Sequence, residues 1–417
     1  MAKGMTEQQQ VQILHSGVFV SKKRFQCTLL LCVLLSACSD PFLVTQDNIE
    51  EFNRYANTKE GLKRDYLLTE DIVLKAPEPG ASNWTPIGKD FHINGTSFAG
   101  TFDGNGHTVT GLTIHATDGT NQESGLFGRI DSKAVIQNLG LKDVSIITQN
   151  STVGGVVGVN SGTVQNCYSE GEVRGYTVGG VVGVNGGTVQ NCYSMGSVIG
   201  AWVGGVVGMN SGNNLVQNSY SIASVTGGQF VGGVVGQNWG GTVKNSYATG
   251  SVMGRDANGA TVGGVVGWNW GGTVENSYAT GAPNGVGSRS MVGSVVGENS
   301  GDTKVENCVA LSPMVATTAD TAEKIGRVVG VNSEGTLGNN HARDDMRLIY
   351  GYAKTHSPTE AHLAGKDGVG TSTHNTEAFW KTTLRWDFSR SWEWKEGFLP
   401  TLRNVGGEQT PTVQAAP

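Results

Sequence analysis

Short apolar runs alternate with Gly, Asn and Ser along most of this chain, and the same runs return at regular intervals. The segment VGGVVGVN begins at Val153, and exact or altered copies begin at Val178, Val203, Val231, Val262, Val292 and Ile325. Successive copies are 25 to 33 residues apart. A repeat of this length is typical of a solenoid, a propeller or a similar array.

Each period contains three Val-centred runs, such as VGGVVGVN, then GTVQNCYS from Gly162, then GEVRG from Gly171. Val favours strands, whereas Gly, Asn and Ser favour turns. A propeller blade needs about 40 to 45 residues, so this all-β period predicts one turn of a three-sided parallel β-helix instead. Such coils stack roughly 4.8 Å apart. Counting from ESGLFGRI at Glu123 predicts about eight coils within residues 123–340.

Residues 47–122 precede the repeats, and their pattern predicts a cap followed by the first strands. Asp47 with Glu50 is typical of a helix start. The apolar residues that would share one face of this short helix are Ile49, Phe52 and Tyr55. The segment LLTEDIVL, from Leu67, predicts a first strand. We expect the helix to cover the open end of the stack, since an uncovered coil would expose strand edges.

Residues 341–405 follow the repeats and are rich in aromatic side chains. Four tryptophans lie close together in sequence, at Trp380, Trp386, Trp392 and Trp394. This density predicts a distinct packed cap at the other end of the stack. The last residues, 406–417, are polar and contain Pro, so we expect them to be disordered.

The N-terminal segment, residues 1–37, has the pattern of a signal peptide with an extended basic region. Lys22, Lys23 and Arg24 precede an apolar run that ends in LSAC at Cys38. LSAC resembles the lipobox of bacterial lipoproteins, which implies a lipid on Cys38 and a tether over residues 38–46. Ser39, in place of Asp, implies the outer membrane or cell surface by the same resemblance. An ordinary signal peptide with an incidental Cys remains the alternative.

Composition narrows the classes of function. Gly accounts for 63 of 417 residues, without a collagen period, which indicates turns and close packing of coils. Only 12 of the 158 residues from Val153 to Ala310 are charged. The repeats therefore do not form a basic surface of the kind that binds nucleic acid.

Cys167 and Cys192 occupy the same position in adjacent periods. Equivalent Cα atoms roughly 4.8 Å apart are within reach of a disulfide. Parallel side-chain directions suit that bond poorly, which favours a ladder of packed thiols. Both possibilities stay open at the level of sequence.

These residues resemble the GLUG-repeat family of bacterial surface proteins. The motif itself occurs at Gly125–Gly128, and later coils carry Gly-Val-Val-Gly in its place. The flanking segments NWTPIG from Asn83 and WDFSRSWEWKEGFLPTL from Trp386 are similar to the same proteins. The resemblance covers roughly Asp47 to Leu402. It implies a right-handed β-helix on the cell surface, of a kind found in adhesins and beside the peptidase domain of some immunoglobulin A1 proteases, with no agreed ligand.

Motifs of catalysis are scarce in the sequence. HExxH, GxSxG and CxxC are absent, and none of the eight His lies between Val153 and Ala310. Glu170 and Glu172 have no acidic equivalent in the next coil, so no carboxylate face forms. The segment FDGNGH, with Asp103, favours a Gly-Asn turn. We therefore expect neither an enzyme nor a metal or cofactor site, with a carbohydrate-active enzyme on a β-helix as the alternative.

Asn and Tyr also recur once per coil. One Asn series includes Asn160 and Asn185, and a second includes Asn166 and Asn191. Stacked Asn side chains can bond up a stack and tolerate left-handed turns. The Tyr series that begins at Tyr168 favours a packing ladder over a binding strip.

Three tryptophans are the candidate ligand-binding residues. The position after each GGVVG accepts Gln and Glu, which places Trp268 on the surface, with Trp239 and Trp270 stacked beside it. Exposed ring faces suit sugars and protein partners. The sequence thus predicts an adhesin-like module for glycans or for host or matrix proteins. A Trp stack that only shields a turn, in a passive spacer, is the alternative.

Overall fold

The structure is a computed structural model, and it describes residues 40–88, 97–116, 123–351, 354–356 and 365–415. The predicted signal peptide and Cys38 lie outside the described residues. Residues 41–417 form one compact unit, to which the following description applies.

Three sheets run along this unit, and the chain passes from one to the next in each coil, which makes a parallel β-helix. The strand pairings between coils are parallel, and one antiparallel pair, Arg347–Tyr350 with Lys354–His356, lies in sheet 2. Sheet 1 has 11 strands, and sheet 3 has eight. The strands of sheet 1 are Phe42–Val44, Tyr66–Leu68, Thr101–Asp103, Val135–Gln137, Thr163–Gln165, Thr188–Gln190, Leu215–Gln217, Thr242–Lys244, Thr273–Glu275, Lys304–Glu306 and Thr336–Gly338. Those of sheet 3 are Phe127–Ile130, Val157–Asn160, Val182–Asn185, Val207–Ser211, Val235–Trp239, Val266–Trp270, Val296–Ser300 and Val329–Ser333.

Sheet 2 has 24 strands of two to 12 residues and forms the broadest side of the helix. They are Ile72–Val73, Thr108–Thr110, Thr113–Ala116, Glu123–Ser124, Gly140–Thr148, Thr152–Gly154, Tyr168–Arg174, Thr177–Gly179, Tyr193–Gly204, Tyr220–Ser221, Ser224–Gly232, Tyr247–Ala248, Val252–Arg255, Thr261–Gly263, Tyr278–Ala279, Asn284–Val286, Met291–Gly293, Val309–Ala310, Met314–Thr317, Ile325–Gly326, His341–Arg343, Arg347–Tyr350, Lys354–His356 and Val369–Thr371. The predicted all-β parallel β-helix is confirmed, and the eight strands of sheet 3 match the expected eight coils.

Helical elements are few and short in the described residues. One α-helix spans Ile49–Ala56, a π-helical turn spans Phe379–Thr383, and 3-10 turns span Gln46–Asn48, Gly61–Lys63 and Ala322–Lys324. A two-stranded antiparallel hairpin joins Trp392–Glu393 to Thr401–Leu402. None of the described helices is long and apolar enough to cross a membrane.

Buried and outward-facing side chains alternate within each strand, which explains how a short repeat builds a core. In Thr163–Gln165, Val164 is fully buried while its two neighbours face outward. The same Val is buried at equivalent positions in the neighbouring coils, including Val189, Val216, Val243 and Val274. The core is therefore a stack of Val layers, each completed by the coil above and the coil below.

A close approach between coils explains the paired glycines of GGVVG. A Cβ atom on Gly180 would lie 2.2 Å from the carbonyl oxygen of Gly205 in the next coil. Its own amide donates to that same oxygen at 3.0 Å. Only glycine permits the backbones to meet at this corner in successive coils.

The N-terminal helix lies at the first coil, as predicted. Ile49 and Phe52 are buried, and the ring of Tyr55 stacks on Phe42 at 5.9 Å. Two details differ from expectation. Phe42–Val44 is already a strand paired with Tyr66–Leu68, so the stack begins within the expected tether. LLTEDIVL also forms two strands in different sheets, because the chain turns a corner at 69–71.

Only part of the predicted cap, residues 341–405, lies at the end of the stack, where the carbonyl oxygen of Lys366 accepts from Val329 N–H on the edge strand of sheet 3. Trp380, Trp386 and Trp392 instead pack sideways against the tyrosines of sheet 2. Residues 406–415 continue along the same side, where the carbonyl oxygen of Gly406 and the side chain of Gln409 accept hydrogen bonds from Tyr220 and Tyr247. We call residues 373–415 the C-terminal clasp. The tyrosine rings stand out from sheet 2 and would expose a long apolar side, and this side attracts the clasp.

Candidate functional site

The first Asn series forms a ladder inside the β-helix. Each amide nitrogen donates to the amide oxygen in the next coil at 2.7 to 2.8 Å, through Asn160, Asn185, Asn210, Asn238, Asn269, Asn299 and Asn332. The second series lies at an outer corner with positive φ, 47° to 55°, at Asn166, Asn191, Asn218, Asn245, Asn276 and Asn307. Both ladders hold the coils together, as expected.

The Tyr series is a packing ladder. Neighbouring rings stack at 4.8 to 5.0 Å from Tyr168 to Tyr278, with interplanar angles of 4° to 10°. The C-terminal clasp covers most of it, and burial raises the pKa of Tyr247 and Tyr278. This ladder is consequently closed to a ligand along most of its length.

The remaining polar candidates have structural partners. Cys167, Cys192 and Cys308 are buried free thiols, so the disulfide alternative is not realised. Asp103 Oδ1 accepts a hydrogen bond from the backbone N–H of Asn105 at 2.8 Å, and Asn105 has φ 53°. FDGNGH is thus the expected turn. The described residues contain no group of three or more His, Cys, Asp or Glu that could hold a metal ion.

The three candidate tryptophans meet on the outer face of sheet 3. Trp239 pairs with Trp270 in the adjacent coil, and their ring centroids lie 4.7 Å apart at an angle of 75°. Trp268 lies 6.3 Å from Trp239 and 6.4 Å from Trp270. The arrangement is edge-to-face where the sequence predicted stacking. The exposed fractions of Trp239 and Trp270 are 44% and 40%, so both rings present surface to solvent.

Trp268 is only half-exposed, because it is held on two sides. Its ring stacks on Phe230 at 4.9 Å and 21°. Its indole N–H donates to Ser300 Oγ at 2.8 Å. Ser300 also bonds the carboxyl group of Glu298, whose pKa is nonetheless raised because burial outweighs that bond. Trp268 is therefore a ring held on two sides at the base of the cluster, beside two exposed ones.

Three further rings extend the cluster, and the sequence reasoning missed them. Tyr176 lies 5.6 Å from Trp202, and Trp202 lies 6.0 Å from Phe230. We call the six rings together the aromatic strip: Tyr176, Trp202, Phe230, Trp268, Trp239 and Trp270. For Trp202 and Phe230 the signal was the position before each VGG, which reads Thr177, Trp202, Phe230, Thr261 and Met291 in register. Its aromatic members lie one corner away from Trp268 in the fold, which the sequence spacing alone does not reveal.

One polar residue within the aromatic strip is unusual. Gln237 pairs in register with Trp268 and Met209, on the outer face of sheet 3. It is nevertheless only 2% exposed, and its Oε1 atom has no hydrogen-bond partner. The sequence predicts that this position is exposed to solvent because it accepts Gln, and this prediction is wrong for Gln237. Its register neighbours on this face, Met209 and Trp268, are both large side chains.

Part of the repeat sequence is similar to known proteins. The model of the GLUG motif matches residues 149–174, 227–253 and 258–283. Halomucin of Haloquadratum walsbyi is 32% identical over 133 residues, 31% of this chain and 1% of that protein. A provisionally named Gly-rich membrane protein of Evansella cellulosilytica is 34% identical over 131 residues, 30% of this chain and 14% of that protein. The chain thus spans only a small part of the curated relatives that it matches.

A solved structure is also similar. It is the crystal structure of a candidate immunoglobulin A1 protease from Bacteroides ovatus, with a TM-score of 0.48 and 20% sequence identity. The match covers 87% of this chain and 92% of that one. The stacked coils define this protein as a β-solenoid. Three stretches of its repeats match the GLUG motif, which confirms the resemblance seen in the sequence.

Proposed function

We propose that this surface-type repeat protein is a lipid-anchored binding module, and that its aromatic strip binds glycans. The N-terminal Cys38 would carry the lipid and hold the solenoid at the outer membrane or cell surface. The names of the two sequence relatives, a mucin and a membrane protein, are compatible with such a location.

The observation that carries the proposal is the pair of exposed indole rings, Trp239 and Trp270, above a fixed third ring, Trp268. Aromatic faces suit the apolar faces of sugar rings, and indoles offer large area at little cost in conformational entropy. Exposed apolar patches on soluble proteins commonly mark interaction sites. The polar groups beside the rings, Gln237 and Glu298, are of the kind that bind hydroxyl groups.

The test is an array of neutral glycans and matrix proteins, probed with the chain from Ser39 to Pro417. A variant with Trp239→Ala and Trp270→Ala should lose the glycan signal. Val286→Ala removes a comparably exposed apolar side chain outside the strip and should leave the signal unchanged.

Other outcomes decide between the alternatives. Binding to matrix proteins alone would replace the glycan proposal with a protein ligand. A folded protein that binds nothing would favour a passive spacer. Release of new reducing ends from a bound glycan would indicate a carbohydrate-active enzyme, which was the alternative interpretation of the sequence.

A further inference from the structure

We infer that Gln237 is the hydrogen-bonding residue of the aromatic strip, and that its side-chain amide recognises a hydroxyl group of a neutral glycan. The inference rests on the proposed glycan binding and names the polar contact that such binding requires. Aromatic rings alone hold sugars without distinguishing them, whereas buried polar groups provide selectivity.

The position of Gln237 follows from the strand Val235–Trp239. Side chains alternate along a strand, so Gln237 and Trp239 share the outer face while Asn238 belongs to the inner ladder. In the next coil, Gln237 pairs with Trp268 and Trp239 pairs with Trp270. The amide therefore occupies one corner of a four-residue patch whose other corners are the three candidate tryptophans.

The fold has no need of an amide at this position. The equivalent residues in other coils of sheet 3 include Val159, Val184, Met209 and Val331. A buried carbonyl oxygen without a partner is destabilising. Gln237 has such an oxygen and is 2% exposed. A ligand hydroxyl that donates to Oε1 would remove this penalty. Ligand binding would therefore explain why Gln occupies this position, whereas packing does not.

Access to the amide requires only a small movement. Trp239, the outward neighbour of Gln237 on the same strand, is 44% exposed. Exposed side chains change rotamer within picoseconds to nanoseconds, so rotation of this indole can open a path to Oε1. Glu298, on the far side of Trp268, adds a carboxyl group to the same face. When it is ionised, this carboxyl group repels anionic sugars, which favours neutral, hydroxyl-rich ones.

The decisive variant is Gln237→Met, because Met209 already fills the equivalent position one coil earlier. We expect its melting temperature to equal or exceed that of the wild type. Its affinity should be about tenfold lower, as expected for the loss of one hydrogen bond to a buried acceptor. The probes are cellotetraose, N-acetylchitotetraose and xylotetraose, each titrated by calorimetry. Gln217→Met makes the same chemical change on sheet 1 and should bind as the wild type does.

Each outcome separates the two claims. If Gln237→Met binds as tightly as the wild type while Trp270→Ala does not bind, the inference about Gln237 is overturned and the proposed function stands. If Gln237→Met melts several degrees lower, the amide is structural and the inference is likewise overturned. If the wild type binds none of the three tetrasaccharides, the glycan proposal fails and the inference fails with it.

Discussion

The hydroxyl group of Tyr278 donates a 2.8 Å hydrogen bond to the carbonyl oxygen of Pro400, 122 residues later in the chain. Two more tyrosines of the ladder make equivalent bonds to the clasp. Tyr220 donates to the carbonyl oxygen of Gly406 at 2.9 Å, and Tyr247 donates to Gln409 Oε1 at 3.0 Å. The clasp therefore forms hydrogen bonds with three successive coils and links them to one another.

Removal of one of these hydroxyl groups should loosen the clasp. In Tyr278→Phe the carbonyl oxygen of Pro400 stays buried without a partner, so we expect a loss of about 1 to 3 kcal/mol in the free energy of unfolding. Urea unfolding followed by Trp fluorescence measures it. Tyr168→Phe alters the half-exposed end of the same ladder and should change stability far less. Equal effects of the two changes would show that the clasp bonds do not contribute.

The ladder also predicts a loss of stability in alkali. Burial raises the pKa of Tyr247 and Tyr278 above the ordinary value of about 10. Above that pH the unfolded chain releases phenolic protons that the folded chain retains, so stability falls as pH rises. The full contribution is present below pH 10. The melting temperature should therefore drop steeply above pH 10, and less steeply in a variant with both residues changed to Phe. Parallel curves for both proteins would contradict this.

The inner Asn ladder should be intolerant of change at its centre. Asn238 donates to Asn269 Oδ1 at 2.7 Å and to the carbonyl oxygen of Gly241 at 2.9 Å, with the side chain fully buried. Asn238→Ala leaves these groups unpaired and opens a cavity, so we expect a loss of about 3 kcal/mol. Asn332→Ala, at the exposed end of the same ladder, should cost much less in a chemical unfolding experiment. Similar losses would mean that the ladder is not cooperative.

The repeat made the β-helix predictable, because a strict period places each Val, Asn and Gly in the same environment in successive coils. Asn160 and Tyr168 could thus be assigned to ladders from spacing alone. The sequence could not show which Asn ladder faces the core and which lies at an outer corner, since both series have the same period. The side chains settle it: Asn160 points inward, and Asn166 occupies a left-handed corner.

The clasp and the full aromatic strip were beyond prediction for a different reason. Both depend on contacts between segments that share no repeat, such as Tyr278 with Pro400, or between neighbouring corners of a coil, such as Phe230 with Trp268. Aromatic density in the C-terminal segment indicated packing but did not reveal its target. Gln237 was wrongly predicted to be exposed, because its burial depends on side chains of neighbouring coils that come together only in the folded protein.

The three described cysteines should be unreactive until the protein unfolds. Burial raises the pKa of Cys308 to about 12, and burial also raises the pKa of Cys167, so little thiolate forms at neutral pH. We expect Ellman's reagent to detect no thiol in the folded chain from Ser39 onward. In non-reducing denaturant it should detect three. A single thiol under those conditions would show that Cys167 and Cys192 pair after all.

The end of the stack is closed by Lys366, whose ammonium group donates to the carbonyl oxygens of Ile325 at 2.8 Å and Glu323 at 3.0 Å. Its own carbonyl oxygen accepts from Val329 N–H at 2.8 Å, on the edge strand of sheet 3. Lys366 thus pairs with backbone groups on the edge strand of sheet 3, beyond which the described residues add no further strand to that sheet. Strand edges left without partners open locally, and exchange of their amide hydrogens reports that opening.

Lys366→Met should therefore loosen the last coil and leave the middle of the stack intact. Loss of the bonds to Ile325 and Glu323 corresponds to about 1 to 3 kcal/mol of local opening, or exchange that is roughly fivefold to 150-fold faster over residues 325–330. Hydrogen exchange with mass spectrometry measures this, with Val182–Asn185 as the internal reference. Lys324→Met changes a neighbouring lysine in the same turn and should leave exchange unchanged. Faster exchange throughout the stack would instead mean that the coils open as one cooperative unit and that Lys366 stabilises all of them.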